Sequence, residues 1–249
     1  MKKIIYGIFL IAAALQVLTA HAGPTVVVGE DGRAEAPADY PYRVIGRLTT
    51  RSGSLCTSFM VSKTTAVTNA HCVTNDKDEV LLPEEVEIYL DFHKKYFPAK
   101  RIAISKLYLK DKIKFDFAFI EIEEEAGHAT GYFGTRSFDP SLARKDILQL
   151  SGYSLDVKNG WEKFRQKRLC RAEKPSVDGL IMHDCDMQKG ASGAPVFIKV
   201  DEQFYVVGIN SRQSEKGACA SFHDTDCFNL AVPFQHISEE LRQFDSSIK

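Results

Sequence analysis

Most of the chain alternates between apolar and polar residues over short stretches, which is the pattern of β-strands. Between Val86 and Leu90 every second side chain is apolar, and the stretch from Phe115 to Phe119 repeats this period of two. Many short strands without helical crossovers predict an all-β barrel or sandwich rather than a parallel α/β sheet. Further β-rich stretches are Arg43 to Leu48, Ser58 to Val61, Thr65 to Asn69, Ile147 to Ser151, Gln166 to Arg171, Pro195 to Val200, Tyr205 to Asn210 and Leu230 to Val232.

One helix is predicted at the end of the chain. Ile237, Leu241 and Phe244 are spaced by four and three residues, so they share one face of a helix. The segment from Tyr132 to Lys145 contains Gly134 and several polar residues, and we expect it to connect two halves of the protein.

The first residues have the pattern of an export signal. Lys2 and Lys3 precede an apolar run from Ile4 to Ala14, and the small-x-small string Ala20-His21-Ala22 follows. The apolar run is shorter than the ~20 residues that a membrane-spanning helix needs, which disfavours an anchor. We therefore expect cleavage before Gly23 and a secreted or periplasmic protein without membrane association after cleavage.

The cysteines support an oxidising compartment. An even number of cysteines behind an export signal predicts disulfides, although the pairing is open from the count alone. A zinc site is the alternative, but the sequence contains no Cys-x-x-Cys pair. The six cysteines are Cys56, Cys72, Cys170, Cys185, Cys219 and Cys227.

The charge pattern gives no reason to expect a nucleic acid as partner. The formal net charge is −1, and the positive charges are balanced by acidic residues. Lys94 to Lys114 is a strongly basic stretch, and acidic residues follow it. A solvated surface of mixed charge is one interpretation, and a docking patch for acidic substrates is the other.

Two short strings carry the candidate chemistry. Thr68 to Cys72 reads Thr-Asn-Ala-His-Cys, and Gly190 to Pro195 reads Gly-Ala-Ser-Gly-Ala-Pro. A serine hydroxyl is a weak nucleophile until an imidazole accepts its proton and a carboxylate orients that imidazole. His71, Asp116 and Ser192 supply these three groups in this order along the chain.

These strings resemble the catalytic motifs of chymotrypsin-like serine peptidases, in particular the bacterial branch that includes the glutamyl endopeptidases. The resemblance runs from about Val26 to Phe234 and implies two antiparallel Greek-key β-barrels followed by a C-terminal α-helix. It divides the chain into a signal peptide (1–22), an N-terminal barrel with His71 and Asp116 (23–134) and a C-terminal barrel with Ser192 and the helix (135–249).

The resemblance also assigns roles to single residues. His71 would be the general base, Asp116 the carboxylate that orients it, and Ser192 the nucleophile. The backbone N–H groups of Gly190 and Ser192 would form the oxyanion hole. Asp91 and Asp111 are competing carboxylates, but apolar alternation follows neither of them.

Substrate recognition is expected on the strand that ends near Asn210. Ser211 and Arg212 would pair with an extended peptide, as edge strands do in this family. Asp186 lies six residues before Ser192, where trypsins carry an aspartate that binds Arg or Lys, and it suggests the same preference here. Asn210 stands where many glutamyl endopeptidases have a histidine, which argues against strict cleavage after glutamate.

The remaining expectations concern partners and the pairing of the cysteines. Bridges like 56–72 and 170–185 occur in the family, and nearest-neighbour pairing adds 219–227. The implied activity is a secreted serine endopeptidase that acts on proteins or peptides as a monomer, without a metal or organic cofactor. The alternatives are a non-catalytic binding protein on a peptidase scaffold and a processing peptidase with one partner substrate.

Overall fold

The computed structural model describes residues 27, 30–172, 179–212 and 228–247. The predicted signal peptide therefore lies outside the described residues. None of the helices in these ranges is long and apolar enough to cross a membrane.

The elements are mostly short strands, as the alternation predicts. Two helices, α1 (Ala126–Thr130) and α2 (Ser238–Ser246), lie in the described ranges. The strands are β1 (Arg33–Glu35), β2 (Ile45–Thr50), β3 (Leu55–Met60), β4 (Thr65–Thr68), β5 (Val86–Leu90), β6 (Lys95–Ile104), β7 (Ala118–Ile122), β8 (Gly134–Thr135), β9 (Asp146–Tyr153), β10 (Lys163–Gln166), β11 (Cys170–Arg171), β12 (Ile181–His183), β13 (Pro195–Val200), β14 (Gln203–Arg212) and β15 (Asn229–Pro233).

Six antiparallel strands close into a barrel in the order β2-β3-β4-β7-β6-β5. Strand β5 shows why these residues form it, since Val86, Ile88 and Leu90 are buried while Glu87 is exposed. The apolar side chains of the six strands fill the interior, which removes them from water.

The second half is a curled sheet rather than a closed barrel in the part of the chain described. Its main path is β1-β10-β9-β13-β14-β15-β12, with β11 on β9 and β8 on β14. An antiparallel bridge between Ala172, which follows β11, and His183 of β12 links the two ends of this sheet, and residues 173–178 lie outside the described ranges. The all-β class with a C-terminal helix is confirmed, and the second half is a curled sheet where the structure describes it.

The C-terminal helix packs on the first barrel, as its apolar face predicts. Leu241 and Phe244 are buried, and the Arg101 guanidinium lies 3.8 Å from the centre of the Phe244 ring. Thr65 Oγ1 donates to Asp245 Oδ1 at 2.7 Å. The helix is therefore attached to the same barrel that carries His71.

About half of the basic stretch from Lys94 to Lys114 is strand β6. The Nζ of Lys100 lies 2.7 Å from Glu121 Oε1, and Arg101 Nε lies 3.0 Å from Glu121 Oε2. Lys95 and Lys112 also form ion pairs with acidic residues. This pairing supports a surface of mixed charge, and exposed pairs of this kind contribute little to stability.

Buried polar groups connect the barrel to the second sheet. The Asp91 carboxylate accepts a hydrogen bond from Tyr153 Oη at 2.9 Å and lies 3.2 Å from Lys163 Nζ. Burial lowers the pKa of Lys163, and Asp91 opposes that effect. Lys163 is buried and Asp91 is partly exposed, so this ion pair links the two halves at the edge of their interface.

Two of the expected disulfides are present. Cys56 is bonded to Cys72, and Cys170 is bonded to Cys185. The expected partners Cys219 and Cys227 lie outside the described residues. The first bridge joins β3 to the turn that follows β4, directly beside His71.

His183 is a fully buried titratable side chain in β12, paired in register with Asn229 of β15. Burial lowers its pKa to about 4, and a weak interaction with Asn210 opposes the shift. Neither ring nitrogen makes a hydrogen bond of normal geometry within the described residues. The folded protein therefore holds this histidine in its neutral form.

We expect His183 to destabilise the fold in acid. Between pH 6.5 and pH 4 the unfolded chain binds a proton that the folded chain does not, so stability falls as the pH falls. The difference corresponds to about 3 kcal/mol at pH 4. Urea titrations at several pH values should show a shallower pH dependence for His183→Gln than for the wild type.

The exposed His128 provides the matched control, since His128→Gln removes a histidine without altering the core. Identical pH dependence of unfolding in the wild type and His183→Gln would contradict the prediction.

Candidate active site

His71 lies on a one-turn helix, Ala70–Cys72, that follows strand β4. The disulfide between Cys72 and Cys56 anchors this turn on one side. On the other side Asn69 Nδ2 donates to the backbone oxygen of Asp116 at 2.7 Å. The disulfide and this hydrogen bond together place the His71 ring next to the residues that precede β7.

The His71 ring contacts the buried Asp116 carboxylate. His71 Nδ1 lies 2.7 Å from Asp116 Oδ2, and the His71 backbone N–H donates to Asp116 Oδ1 at 3.1 Å. Ser211 Oγ donates to Asp116 Oδ2 at 2.6 Å. Burial alone would raise the pKa of Asp116, but these hydrogen bonds outweigh it and hold the pKa below the usual value.

A charged Asp116 fixes the tautomer of His71. An ionised carboxylate only accepts hydrogen bonds, so the proton of the neutral ring resides on Nδ1 and leaves Nε2 free to accept another proton. The arrangement can therefore act as a general base at Nε2.

Ser192 lies in a tight loop between β12 and β13. Gly190 and Gly193 on either side of it have φ values of 103° and 82°, which L-residues with side chains rarely adopt. A Cβ atom on Gly193 would lie 2.1 Å from the backbone oxygen of Thr57. The two glycines thus allow the loop to turn sharply and to approach β3 closely.

The first barrel holds this loop by its carbonyl groups. Thr57 Oγ1 donates to Gly190 O at 2.9 Å, and Thr57 N donates to Ser192 O at 2.8 Å. From the second half, the N–H of Leu155, which follows β9, donates to Lys189 O at 2.8 Å. The carbonyl groups of Lys189, Gly190 and Ser192 are thereby oriented from outside the loop.

Asn210 of β14 holds the loop from the second sheet. Its side-chain Nδ2 donates to Ala191 O at 2.8 Å. Its backbone N donates to Ala194 O, and its backbone O accepts from Gly193 N, both at 2.9 Å. One residue therefore makes three hydrogen bonds to the segment around Ser192.

The N–H groups of Gly190 and Ser192 make no hydrogen bond to any acceptor in the described residues. Each N–H belongs to a peptide unit whose carbonyl accepts a hydrogen bond from another element. Both N–H groups therefore have a fixed direction and can donate to a further acceptor. In the same residues no hydrogen bond joins Ser192 Oγ to the His71 ring. Catalytic hydrogen bonds of this type are often long before substrate binds.

Asp186 is buried and carries a hydrogen bond from the N-terminal segment. Its Oδ2 accepts from Gly32 N at 2.7 Å, and a Cβ atom on Gly32 would lie 2.8 Å from the same oxygen. Strand β1, which follows Gly32, pairs with β10 and holds the segment there. The carboxylate that resembles the trypsin pocket aspartate is thus already partly compensated.

The three residues of β14 that were expected to bind substrate occupy different environments. Asn210 is fully buried under the serine loop, and the Ser211 hydroxyl is bonded to Asp116. Arg212 is exposed, and its Nη2 donates to Lys112 O at 3.2 Å. The structure brings His71, Asp116 and Ser211 together and gives Asn210 a contact that the sequence did not suggest.

The described residues contain one group of three metal-capable side chains, which consists of Cys56, His71 and Cys72. Both cysteines are bonded to each other, so they offer no thiolate, and the zinc interpretation of these cysteines is wrong.

Thr57 is the residue that sequence reasoning missed. It is fully buried on β3, a strand whose residues from Cys56 to Met60 are all buried. A buried hydroxyl needs hydrogen-bond partners, but neither the burial of Thr57 nor its partners can be read from the local sequence. Thr57 Oγ1 has two, since it also accepts from Tyr153 N at 2.9 Å.

Comparison with known proteins agrees with this geometry. A family model described as Trypsin matches residues 30–225. Glutamyl endopeptidase of Bacillus licheniformis is 25% identical over 180 residues, which cover 69% of this chain and 54% of that protein. The chain thus spans about half the length of this curated relative.

A solved structure entitled "Structure of Glu endopeptidase in complex with MPD" is similar to the protein with a TM-score of 0.70 and 20% identity. The match covers 88% of this chain and all of that one, and it supports the same fold. Since the family model spans most of the chain, including His71, Asp116 and Ser192, the protein belongs to the trypsin family.

Proposed function

We propose that the protein is an exported serine endopeptidase with His71, Asp116 and Ser192 as its catalytic triad. The observation that carries the proposal is the buried Asp116 carboxylate, which lies 2.7 Å from His71 Nδ1. Membership of the trypsin family supports the same activity. The two disulfides fit a secreted or periplasmic location, where thiols are oxidised.

The proposed reaction begins when Ser192 Oγ attacks the carbonyl carbon of a peptide bond while His71 Nε2 takes its proton. The carbonyl oxygen becomes negative and accepts hydrogen bonds from the N–H groups of Gly190 and Ser192. His71 then gives its proton to the leaving amine, and an acyl ester on Ser192 remains. Water attacks this ester with His71 again as base, which releases the acid and restores the serine.

Asp116 stabilises the His71 imidazolium that forms in each step. Its charge lies in the protein interior, where electrostatic interactions are stronger than in water. Ser211 donates to the same oxygen that faces the ring, so it fixes the carboxylate without neutralising it.

For the acyl side of the cut bond we propose Arg or Lys. Asp186 is a buried carboxyl group at the position of the trypsin pocket aspartate, and Asn210 carries no charge. His183 is neutral above about pH 4 and supplies no positive charge for a glutamate either. The relative from Bacillus licheniformis is named a glutamyl endopeptidase, so measurements with substrates decide between a basic residue and glutamate before the cut bond.

The same experiments test the two alternative functions that the sequence analysis named. A non-catalytic binding protein on this scaffold would bind its partner without reacting with serine-directed reagents. A processing peptidase with one partner would react with such reagents but would cleave few members of a peptide library.

Replacement of Ser192 by Ala should abolish peptide hydrolysis and fluorophosphonate labelling, because no nucleophile remains. We expect a loss of at least about 10⁴-fold in kcat. Labelling of purified protein beginning at Gly23 measures this directly, with Ser141→Ala at an exposed site as the control. Equal labelling of Ser192→Ala and the wild type would rule out the assigned nucleophile.

Replacement of Asp116 by Asn should lower kcat by about 10³- to 10⁴-fold, because the amide no longer holds the proton on His71 Nδ1. The matched change Asp111→Asn alters a partly exposed aspartate of the preceding loop and should leave kcat near the wild-type value. Steady-state kinetics on one peptide substrate compares them. A larger loss of kcat in Asp111→Asn than in Asp116→Asn would show that Asp116 is not the carboxylate that orients His71.

The proposed preference can be measured with peptides that differ only in the residue before the cut bond. Substrates with Arg or Lys should have a higher kcat/KM than the substrate with Glu. In Asp186→Asn the ratio of kcat/KM for the Arg or Lys substrate to kcat/KM for the Glu substrate should fall at least about tenfold, since an amide cannot carry the negative charge of a carboxylate. A wild-type preference for Glu would refute the preference and leave the triad assignment intact.

A further inference from the structure

The side chain of Asn210 has an unusual position for a residue near a peptidase pocket. It is fully buried, and its Nδ2 faces the backbone oxygen of Ala191 at 2.8 Å. A carbonyl oxygen can only accept, so the amide nitrogen and not the amide oxygen of Asn210 must face it.

The bonded carbonyl belongs to the same peptide unit as the Ser192 N–H. A peptide unit is planar and trans, so its C=O and N–H point in opposite directions. A donor that fixes the direction of Ala191 C=O therefore fixes the direction of Ser192 N–H. Asn210 acts on one of the two proposed oxyanion donors without touching the substrate.

The Ala191 carbonyl differs from the neighbouring carbonyl of Lys189 in the kind of group that donates to it. The Lys189 carbonyl, whose peptide carries the Gly190 N–H, is held by the backbone N–H of Leu155. The Ala191 carbonyl has one donor within its own turn, Ala194 N at 3.1 Å, and its donor from another element is the side chain of Asn210. The Gly190 N–H is thus oriented by a backbone group of another element, whereas the Ser192 N–H is oriented by a replaceable side chain of another element.

We propose that Asn210 is a positioning residue that orients the Ser192 N–H of the oxyanion hole. The inference deepens the proposed endopeptidase function and rests on it. It moves Asn210 from the substrate-binding set to the support of the serine loop. Its effect is expected in the transition state, where negative charge develops on the substrate oxygen.

Asn229 offers a close internal control. It is also a fully buried asparagine of the second sheet, and its Nδ2 donates to Cys185 O at 2.7 Å. That carbonyl lies in a different peptide unit, which carries neither oxyanion N–H. The same substitution at both positions therefore costs a similar buried hydrogen bond and differs in its effect on Ser192.

The experiment compares Asn210→Leu with Asn229→Leu, which keep the side-chain size and remove the donor. For Asn210→Leu we expect kcat to fall by about 10- to 100-fold with little change in KM, less than the loss of an entire oxyanion donor. Binding of a peptide boronic acid, whose adduct places an oxygen at the oxyanion position, should weaken by the same factor as kcat/KM. Asn229→Leu should change both within about threefold.

Asn210→His restores a ring N–H at this position and should recover part of kcat, which a purely steric role would not allow. If Asn210→Leu does not fold, Asn210→Ala replaces it in the same comparison. Unchanged kcat in the folded Asn210 variant, or equal losses in both variants, would overturn the proposal.

A second readout does not depend on turnover. The NMR order parameter of the Ser192 amide should decrease in Asn210→Leu and stay constant in Asn229→Leu. A wild type without hydrolysis would refute the endopeptidase function while this measurement still tests the positioning role. An unchanged order parameter in Asn210→Leu would refute that role in either case.

Discussion

The site depends on how the backbone of the serine loop is held. Consecutive carbonyl groups from Lys189 to Ser192 each accept a hydrogen bond from outside the loop. Because a peptide unit is rigid, these bonds also set the directions of the N–H groups on the opposite side. An oxyanion site made in this way costs no reorganisation when charge develops, which is the condition for electrostatic catalysis.

A second constraint is the burial of carboxylates. Asp116 and Asp186 are both removed from water, and each is compensated by groups that are far away in sequence. Asp116 receives its hydrogen bonds from His71 and Ser211, while Asp186 receives one from Gly32. A buried charge without such partners would be protonated or would destabilise the fold, so the strands that carry the partners are fixed by it.

Local patterns were enough to predict the strands with clear alternation and the C-terminal helix, whereas the three candidate catalytic residues came from two short motifs and a family resemblance and stay a prediction. They failed where a strand carries many charges, as in β6, because Lys100 and Arg101 conceal its period. The apolar alternation around Asp116 was placed too early, since β7 begins at Ala118. Contacts such as Thr57 to the serine loop join residues more than 100 positions apart and leave no mark in local sequence.

The double attachment of the serine loop has a consequence for the order in which the protein becomes functional. Thr57 belongs to the barrel and Asn210 to the second sheet, so neither half can shape the loop alone. A chain with only one half folded would lack part of the hydrogen bonds that orient the backbone around Ser192. The proposed activity would therefore require both halves to be folded and docked on each other.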